Sequence, residues 1–246
     1  MVYKILHRRG VTYFRRAELQ ELLIKSFKMM GESGNYSLLD LGCNEGNVLL
    51  TAKEKGLITD ATHIVGVDLS ENLVNRFKTN IPEAHAIIAD ACHVDTLTSN
   101  TFDLIICSGI IEHVPDDNAL LMEIKRLLKP GGVVFLLTSI RHKHSFWIYK
   151  RKGKFTLDPE HVREYKDADE ILSLMKKNGF NINDTLTRPL KFYSLSTIFL
   201  YFLYQIGLIK SNNVVYENFT WFKILSHIKI PLKPFGFEII EIIATS

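Results

Sequence analysis

The chain has 246 residues, of which 46% are hydrophobic and 23% are charged, the composition of an ordinary globular protein long enough for one α/β domain. A formal net charge of +3 is too small to indicate nucleic-acid binding by itself, so we expect no DNA partner. No long apolar run follows Met1 and the three cysteines have unrelated spacings, so we expect a cytoplasmic protein without a secretory signal or disulfides.

The first 34 residues divide into a basic, aromatic arm and a helix. Residues 1–16 are rich in arginine and aromatic side chains, which fits either a solvated arm or a lid over a bound ligand. Apolar side chains at helical spacing follow, and they predict a helix that ends at Gly31 or Gly34 and packs on the sheet beside the first strand. These side chains are Leu19, Leu22, Leu23, Phe27 and Met30.

A strand, a tight turn and a helix are predicted next. The apolar strand at about 37–41 carries Asp40, and the turn after it contains Gly42, Asn44 and Gly46 before a helix at about 46–55. Such a turn presents backbone N–H groups and a helix N-terminus to a ligand. Glycine leaves room for a ligand to touch the backbone, and asparagine is among the few other residues that tolerate a positive φ.

Four more apolar runs alternate with helical patterns. They predict strands at about 63–67, 85–89, 103–107 and 132–138, and the first three run directly into Asp68, Asp90 and Ser108. Strands that alternate with helices predict a parallel, doubly wound α/β sheet, whose ligands bind at the carboxyl ends of the strands. A further strand is predicted at about 180–187.

In this order and spacing, the glycine turn and the strand ends resemble the class I S-adenosylmethionine (SAM) dependent methyltransferases, and within them the quinone-biosynthesis O-methyltransferases. The resemblance covers about residues 38–180 and, more weakly, a strand at about 237–243. It implies one domain, residues 1–246, with a Rossmann-like, mostly parallel seven-stranded sheet, helices on both faces, and the last strand antiparallel between the fifth and sixth.

The glycine turn can be compared with the patterns of two enzyme classes. Asn44 stands where the family has the middle glycine of its Asp/Glu-x-Gly-x-Gly-x-Gly pattern, which is a departure from the family. The nearest other enzyme class, the dehydrogenases, would carry Gly-x-Gly-x-x-Gly, which this turn lacks.

The resemblance implies that SAM lies along the carboxyl ends of the strands. The turn would approach its methionine part, Asp68 would hold the ribose hydroxyls, and Asp90 would bond the adenine amino group. Either acid alone would fit a turn cap equally well. The cofactor-binding residues expected in this way are Asp40, Gly42, Cys43, Asn44, Gly46, Asp68, Leu69, Asp90, Ala91 and Ser108.

Two histidines are the candidates for a catalytic base. A hydroxyl acceptor must lose its proton during methyl transfer, and histidine is the side chain that most often takes it. His113, after the fourth strand, either acts as this base or packs against the cofactor, and His161 is the second candidate. Some relatives hold a divalent metal on Glu-x-x-Glu-His. Gly109 replaces the first Glu here and leaves Glu112 and His113, so we expect no metal.

Two segments are expected on the acceptor side. Residues 140–166 mix cations with aromatic side chains and are interpreted as a loop that faces an anionic group of the acceptor. Residues 188–234 are interpreted as a helical insertion. Its stretch 195–209 is apolar nearly all round but, at about 22 Å as a helix, too short to span a bilayer. This stretch either covers the pocket or a dimer interface, or lies on a membrane surface as a peripheral contact.

Together these observations predict a SAM-dependent methyltransferase that acts on an oxygen, rather than a nitrogen or carbon, of a small or lipid-linked acceptor. Two alternatives stay open. One is an RNA methyltransferase, which the basic segments favour and the modest net charge disfavours. The other is a non-catalytic SAM-binding protein of the same fold. The acceptor and the oligomeric state do not follow from the sequence.

Overall fold

The computed structural model describes residues 19–31, 35–60, 62–146, 149–151, 153–157, 161–190 and 235–246. The basic arm and almost all of the predicted insertion lie outside these residues, so their expected roles are not addressed by the structure. None of the helices in the described ranges is long and apolar enough to cross a bilayer.

A seven-stranded sheet forms the centre of the molecule. Its strands are β1 (Ser37–Leu41), β2 (His63–Asp68), β3 (His85–Ile88), β4 (Phe102–Ser108), β5 (Leu128–Phe146), β8 (Asn181–Pro189) and β9 (Phe235–Thr245), while β6 (Tyr149–Arg151) and β7 (Lys154–Thr156) form a separate hairpin. The strand order is β3-β2-β1-β4-β5-β9-β8, with β1 to β5 parallel and β9 antiparallel to both of its neighbours. The predicted fold, including the last strand between the fifth and sixth strands of the sheet, is confirmed.

Helices cover both faces of this sheet. They are α1 (Glu21–Met29), α2 (Asn47–Glu54), α3 (Glu71–Asn80), α4 (Asp117–Leu127) and α5 (Ala168–Lys177). Successive strand residues point to opposite faces, so Leu38 and Leu39 belong to two different buried clusters. Side chains of α1, α2 and α3 fill the first cluster, and those of α4 and α5 fill the second. Ser70 caps the start of α3, because its side-chain oxygen accepts the Leu73 N–H at 3.5 Å.

The position of α1 differs from the prediction. The helix packs against β5, β8 and β9 rather than beside β1. The N–H of Leu22 in its first turn donates to Glu241 at 2.8 Å, and Arg188 of β8 forms an ion pair with the same carboxylate. Glu241 is fully buried, and a buried carboxylate is costly unless it is hydrogen-bonded and paired. This long-range pairing holds α1 against β8 and β9. The helical periodicity of the sequence does not predict it.

The length of β5 corrects the interpretation of residues 140–166 as a loop. The strand continues to Phe146, which pairs with Phe235 of β9 after an irregularity in the register. The two strands cross closely there, since a Cβ at Gly236 would lie 2.7 Å from the Cα of Ser145. This end of the strand lies beyond the core and carries exposed polar side chains, so it lacks the apolar alternation that identifies a half-buried strand.

Candidate cofactor and acceptor site

The turn between β1 and α2 has the backbone conformation that its glycines predict. Gly42, Asn44 and Gly46 have φ angles of 72°, 51° and 83°. A Cβ at Gly42 would lie 1.9 Å from Cδ1 of Ile110, so any other residue here would force the Ile110 side chain to move. Asn44 adopts the left-handed conformation, and its Oδ1 accepts the N–H of Glu45 at 2.8 Å. Asparagine at the family's middle glycine is therefore compatible with the turn.

The turn is tied to the end of β2. The N–H of Gly42 donates to the backbone oxygen of Val67 at 2.8 Å. The N–H of Asn44 donates to Oδ2 of Asp68 at 3.0 Å, and the N–H of Ser70 donates to Oδ1 at 2.9 Å. Asp68 therefore does cap two turns. Because each carboxylate oxygen can accept more than one hydrogen bond, Asp68 can bind ligand hydroxyls as well.

A cleft of about 730 Å³ opens at the carboxyl ends of the strands. The predicted cofactor residues that line it are Gly42, Asp68, Leu69, Asp90 and Ala91. The other predicted cofactor residues are not part of its lining: Asp40, Cys43, Asn44, Gly46 and Ser108. Asn72 and Leu73 of α3 also line the cleft, and the motifs did not identify them. Ile110, Val114 and Pro115 line it beside His113, in the segment after β4 that the sequence placed at the site.

The end of the cleft beside Asp90 combines an acid with an apolar surface. Asp90 accepts the N–H of Cys92 through Oδ1 at 2.9 Å, so it caps a turn as Asp68 does. Leu69 is 71% exposed at the rim of the cleft. An exposed apolar side chain beside a carboxylate suits a flat ring that carries a hydrogen-bond donor.

Asp40 places a buried carboxyl group at the end of β1, just before the turn. It is 4% exposed, and burial raises its pKa to about 8, with a further contribution from the negative charge of Asp68. Burial also raises the pKa of the Cys43 thiol well above its usual range, so this thiol stays neutral. A cation bound in the neighbouring cleft would favour the charged form of Asp40.

The two predicted catalytic histidines lie next to each other. The ring centroids of His113 and His161 are 4.7 Å apart, with an angle of 84° between the rings. His113 lines the cleft, whereas His161 is 8% exposed and is not part of the lining. Glu112 completes the cluster, in which one side-chain ligand atom from each of the three residues lies within 4.8 Å of the others. The fold thus brings together residues whose spacing along the chain does not reveal their contact.

A second carboxylate positions His161. Its Nδ1 lies 3.2 Å from Oε1 of Glu164, so the tautomer with a proton on Nδ1 donates to this oxygen. The Glu164 carboxylate also accepts the Thr156 hydroxyl at 2.7 Å and the Leu157 N–H at 2.8 Å, and it pairs with Nε of Arg141 at 3.2 Å. With the Nδ1 proton directed at Glu164, Nε2 is the ring nitrogen that accepts a proton in the neutral imidazole.

Glu112 holds the segment that carries His161. Its backbone oxygen accepts the N–H of Val162 at 2.8 Å, and its side chain accepts the Thr138 hydroxyl at 2.9 Å. The carboxyl group is 4% exposed, and burial raises its pKa while the neighbouring His161 counteracts that rise. A buried carboxyl group beside two imidazoles can move a proton or ligate a divalent cation.

Arg163 connects the segment that carries His161 to the start of α4 and to the segment after β4. It forms an ion pair with Asp117 at the start of α4 and donates to the backbone oxygen of Pro115 at 2.8 Å. The hydroxyl of Tyr165 donates to Asp117 at 3.2 Å. Sequence reasoning missed Arg163 and Glu164, because their partners lie far away along the chain. The one signal was the concentration of charged residues around His161.

The predicted cationic surface is partly neutralised within the protein. Arg141 pairs with Glu164, and Nε2 of His142 lies 2.8 Å from Oε2 of Glu238. Lys143, by contrast, is exposed. The side chains at residues 147–152 lie outside the described ones. An anionic group on the acceptor therefore stays a prediction, with fewer free cations to support it than the sequence indicated.

Comparisons with known proteins agree with this geometry. A family model for a methyltransferase domain matches residues 7–185. The ubiquinone biosynthesis O-methyltransferase of Coxiella burnetii is 31% identical over 156 residues, which cover 60% of this chain and 64% of that protein. The enzyme of the same description from Idiomarina loihiensis is 27% identical over 177 residues, which cover 65% of this chain and 68% of that protein. The chain thus spans slightly less than two thirds of the first relative.

A solved structure shows the same fold over nearly the whole chain. The SAM-dependent methyltransferase from Methanosarcina mazei superposes with a TM-score of 0.59 at 17% identity, covering 94% of this chain and 99% of that chain. The family model matches well over half of the 246 residues. The chain therefore belongs to the methyltransferase-domain family and has the Rossmann-like fold of the SAM-dependent methyltransferases.

Proposed function

We propose that the protein transfers the methyl group of SAM to an oxygen of a small or lipid-linked acceptor, with His113 as the general base. The observation that carries this proposal is the single cleft that borders the glycine turn, Asp68 and His113 together. The relatives described as ubiquinone biosynthesis O-methyltransferases support oxygen as the acceptor atom and a quinone-like ring as the acceptor type.

The cofactor-binding half holds SAM in one orientation. Asp68 would accept the ribose hydroxyls, Asp90 the adenine amino group, and Leu69 would cover the adenine ring. SAM supplies the methyl group on a positively charged sulfur. The task of the protein is to align the acceptor oxygen, the methyl carbon and the sulfur, and to exclude water, because the displacement is in line.

The histidines remove the proton that the acceptor must lose. As the new carbon–oxygen bond forms and the carbon–sulfur bond breaks, the hydroxyl proton passes to His113, and S-adenosylhomocysteine leaves with a neutral sulfur. His161 does not line the cleft, so its role is to orient His113 or to take the proton onward. Glu164 holds His161 in place for either role.

The same cluster can also ligate a divalent cation through Glu112, His113 and His161. We retain the expectation that the reaction needs no metal. Treatment with a chelator should then leave turnover unchanged. Loss of turnover that added Mg²⁺ or Zn²⁺ restores would instead assign these three residues as ligands.

The acceptor class is tested with labelled SAM and separate pools of lipid extract, nucleotide-sugars, small phenols and RNA. Label in a lipid or small-molecule pool, lost in His113→Ala, supports the proposal. Label in RNA alone supports the RNA alternative. A protein that binds SAM but labels no pool is the non-catalytic alternative.

Peripheral membrane contact is part of the proposal for a lipid-linked acceptor, with the protein otherwise in the cytoplasm. The apolar stretch 195–209 motivates it. The protein should float with anionic liposomes, and replacement of Phe199, Phe202 and Leu203 by serine should release it. A wild-type protein that stays in the unbound fraction contradicts membrane contact and leaves the methyl-transfer proposal intact.

A further inference from the structure

Helix α3 holds the cofactor turn through residues that do not line the cleft. Asn80, at the end of α3, donates from Nδ2 to the backbone oxygen of Glu45 at 2.8 Å. Arg76, one helical turn earlier, has Nη1 3.5 Å from Oε2 of Glu45. Oε1 of the same carboxylate accepts Nδ2 of Asn47 at 3.1 Å. Glu45 is thus held by α3 at both its backbone and its side chain.

Because Glu45 is buried, loss of these contacts would destabilise its carboxylate. The side chain of Glu45 is 6% exposed, and that of Arg76 is 19% exposed. A buried carboxylate that loses its cation is strongly unfavourable, so it moves toward solvent when the structure allows. Glu45 lies between Asn44 and Gly46, both of which have a positive φ. Movement of Glu45 would therefore displace Asn44, whose N–H holds the Asp68 carboxylate in the lining of the cleft.

Close apolar packing joins α3 to the turn as well. A Cβ at Gly46 would lie 2.8 Å from Cδ1 of Ile81, and one at Gly66 of β2 would lie 2.6 Å from Cζ of Phe77. Both Phe77 and Ile81 are fully buried. The turn rests directly on α3, and the contacts with Arg76 and Asn80 are what fix its polar side.

We propose that Arg76 and Asn80 are positioning residues for SAM, which act through Glu45. Left-handed backbone at a non-glycine residue persists only where surrounding contacts hold it. Without these contacts the turn relaxes in the cofactor-free protein and must be ordered again on binding, which weakens affinity. The bound complex reaches the same geometry as before, so the transfer step keeps its rate. This inference concerns cofactor affinity alone and does not depend on the acceptor.

Titration calorimetry with S-adenosylhomocysteine and SAM tests the proposal on the whole chain. Arg76→Met and Asn80→Ala should each weaken binding about tenfold, the effect of one lost charged or well-formed hydrogen bond. The matched controls are Lys78→Met and Asn75→Ala, because both side chains are exposed on the same helix. The controls should stay within about twofold of the wild type.

Two further variants separate positioning from general stability. Arg76→Lys keeps the charge and should recover part of the affinity. Glu45→Gln should weaken SAM binding. Combining it with Arg76→Met should weaken binding little further, because both changes break the same contact between Arg76 and Glu45. At saturating SAM, the turnover of folded Arg76→Met should match the wild type. A melting temperature measured without ligand reports any loss of stability separately.

Several outcomes overturn the inference. It fails if Arg76→Met and Asn80→Ala both keep wild-type affinity, if Lys78→Met weakens binding as much as Arg76→Met, or if turnover at saturating SAM falls with affinity unchanged. If either principal variant does not fold, Arg76→Lys and Glu45→Gln decide by the same affinity criterion. A wild-type protein that binds neither ligand contradicts the proposed function itself, which is a distinguishable result.

Discussion

The proposed cofactor half and the proposed acceptor half of this site are built in different ways. The proposed cofactor half consists of backbone turns at the ends of adjacent parallel strands, whose N–H groups are capped by acids at these strand ends, as Asp68 caps Asn44 and Ser70. The acceptor half consists of side chains brought together from β5 and two distant segments, as in the contact between His113 and His161. Local sequence patterns therefore identify the residues of the first half, whereas only the complete fold shows which residues form the second.

The largest expected effect falls on the acceptor half alone. His113→Ala should lower turnover by about 10²–10⁴-fold, because the acceptor loses its general base, while SAM still binds. Steady-state rates with the identified acceptor and calorimetry with SAM measure the two effects separately. His144→Ala, an exposed histidine of β5, is the matched control. Near-full turnover by His113→Ala at saturating acceptor would contradict its role as base.

The next effect falls on the cofactor half. Asp68→Ala should weaken SAM binding by about 2–3 kcal/mol, because the ribose hydroxyls lose a charged acceptor and the Asn44 N–H loses its partner. Calorimetry measures the change, and Asp60→Ala, whose side chain is 97% exposed, is the control. Unchanged affinity would show that Asp68 is a turn cap and nothing more.

A smaller effect should show that the acceptor half depends on distant contacts. Arg163→Met removes the ion pair with Asp117 and loosens the segment that carries His161. We expect turnover to fall about tenfold and the free energy of unfolding to fall by about 2 kcal/mol, with SAM affinity unchanged. Lys166→Met removes an exposed cation from the same segment and should change neither quantity. An equal loss in both variants would contradict the specific role of Arg163.

The smallest effect is a pH dependence of the cofactor half. Asp40 has a pKa of about 8 in the folded protein against an ordinary 3.8, so it is mostly protonated at neutral pH. Its contribution to stability is therefore full at low pH and is lost as pH rises through about 8. A cationic cofactor favours the charged carboxylate, so binding should release part of a proton and tighten by about threefold in all as pH rises from about 6 to about 8.

Calorimetry in two buffers with different ionisation enthalpies measures this proton release directly. Asp40→Asn cannot ionise at this position and should bind SAM with a flatter pH dependence. A wild-type affinity that does not change between about pH 6 and about pH 8 would rule out the linkage.

The strands of the core could be predicted, because local patterns encode them. Asp68 is the last residue of β2 and Asp40 the next-to-last of β1, while Asp90 follows β3 by two residues, close to where the sequence predicted each strand to end. The position of α1 could not be predicted in the same way, because it depends on the pairing of Leu22 with the distant Glu241.

The candidate site shows the same division. The motifs identified His113 and His161 separately, but neither their contact nor the supporting Glu164 follows from spacing in the sequence. The interpretation of residues 140–166 as a loop was wrong, because a strand that pairs outside the core has no apolar alternation to mark it.

The extension of β5 and β9 beyond the core bears on how this protein can diverge. Arg141 and Phe146 pair with Phe237 and Phe235 of β9, while several side chains along this extension are exposed. Backbone pairing tolerates many side chains, so substitutions at these exposed positions cost the domain little stability. The ribbon can therefore accumulate substitutions while the cleft, whose lining includes none of these residues, keeps its shape.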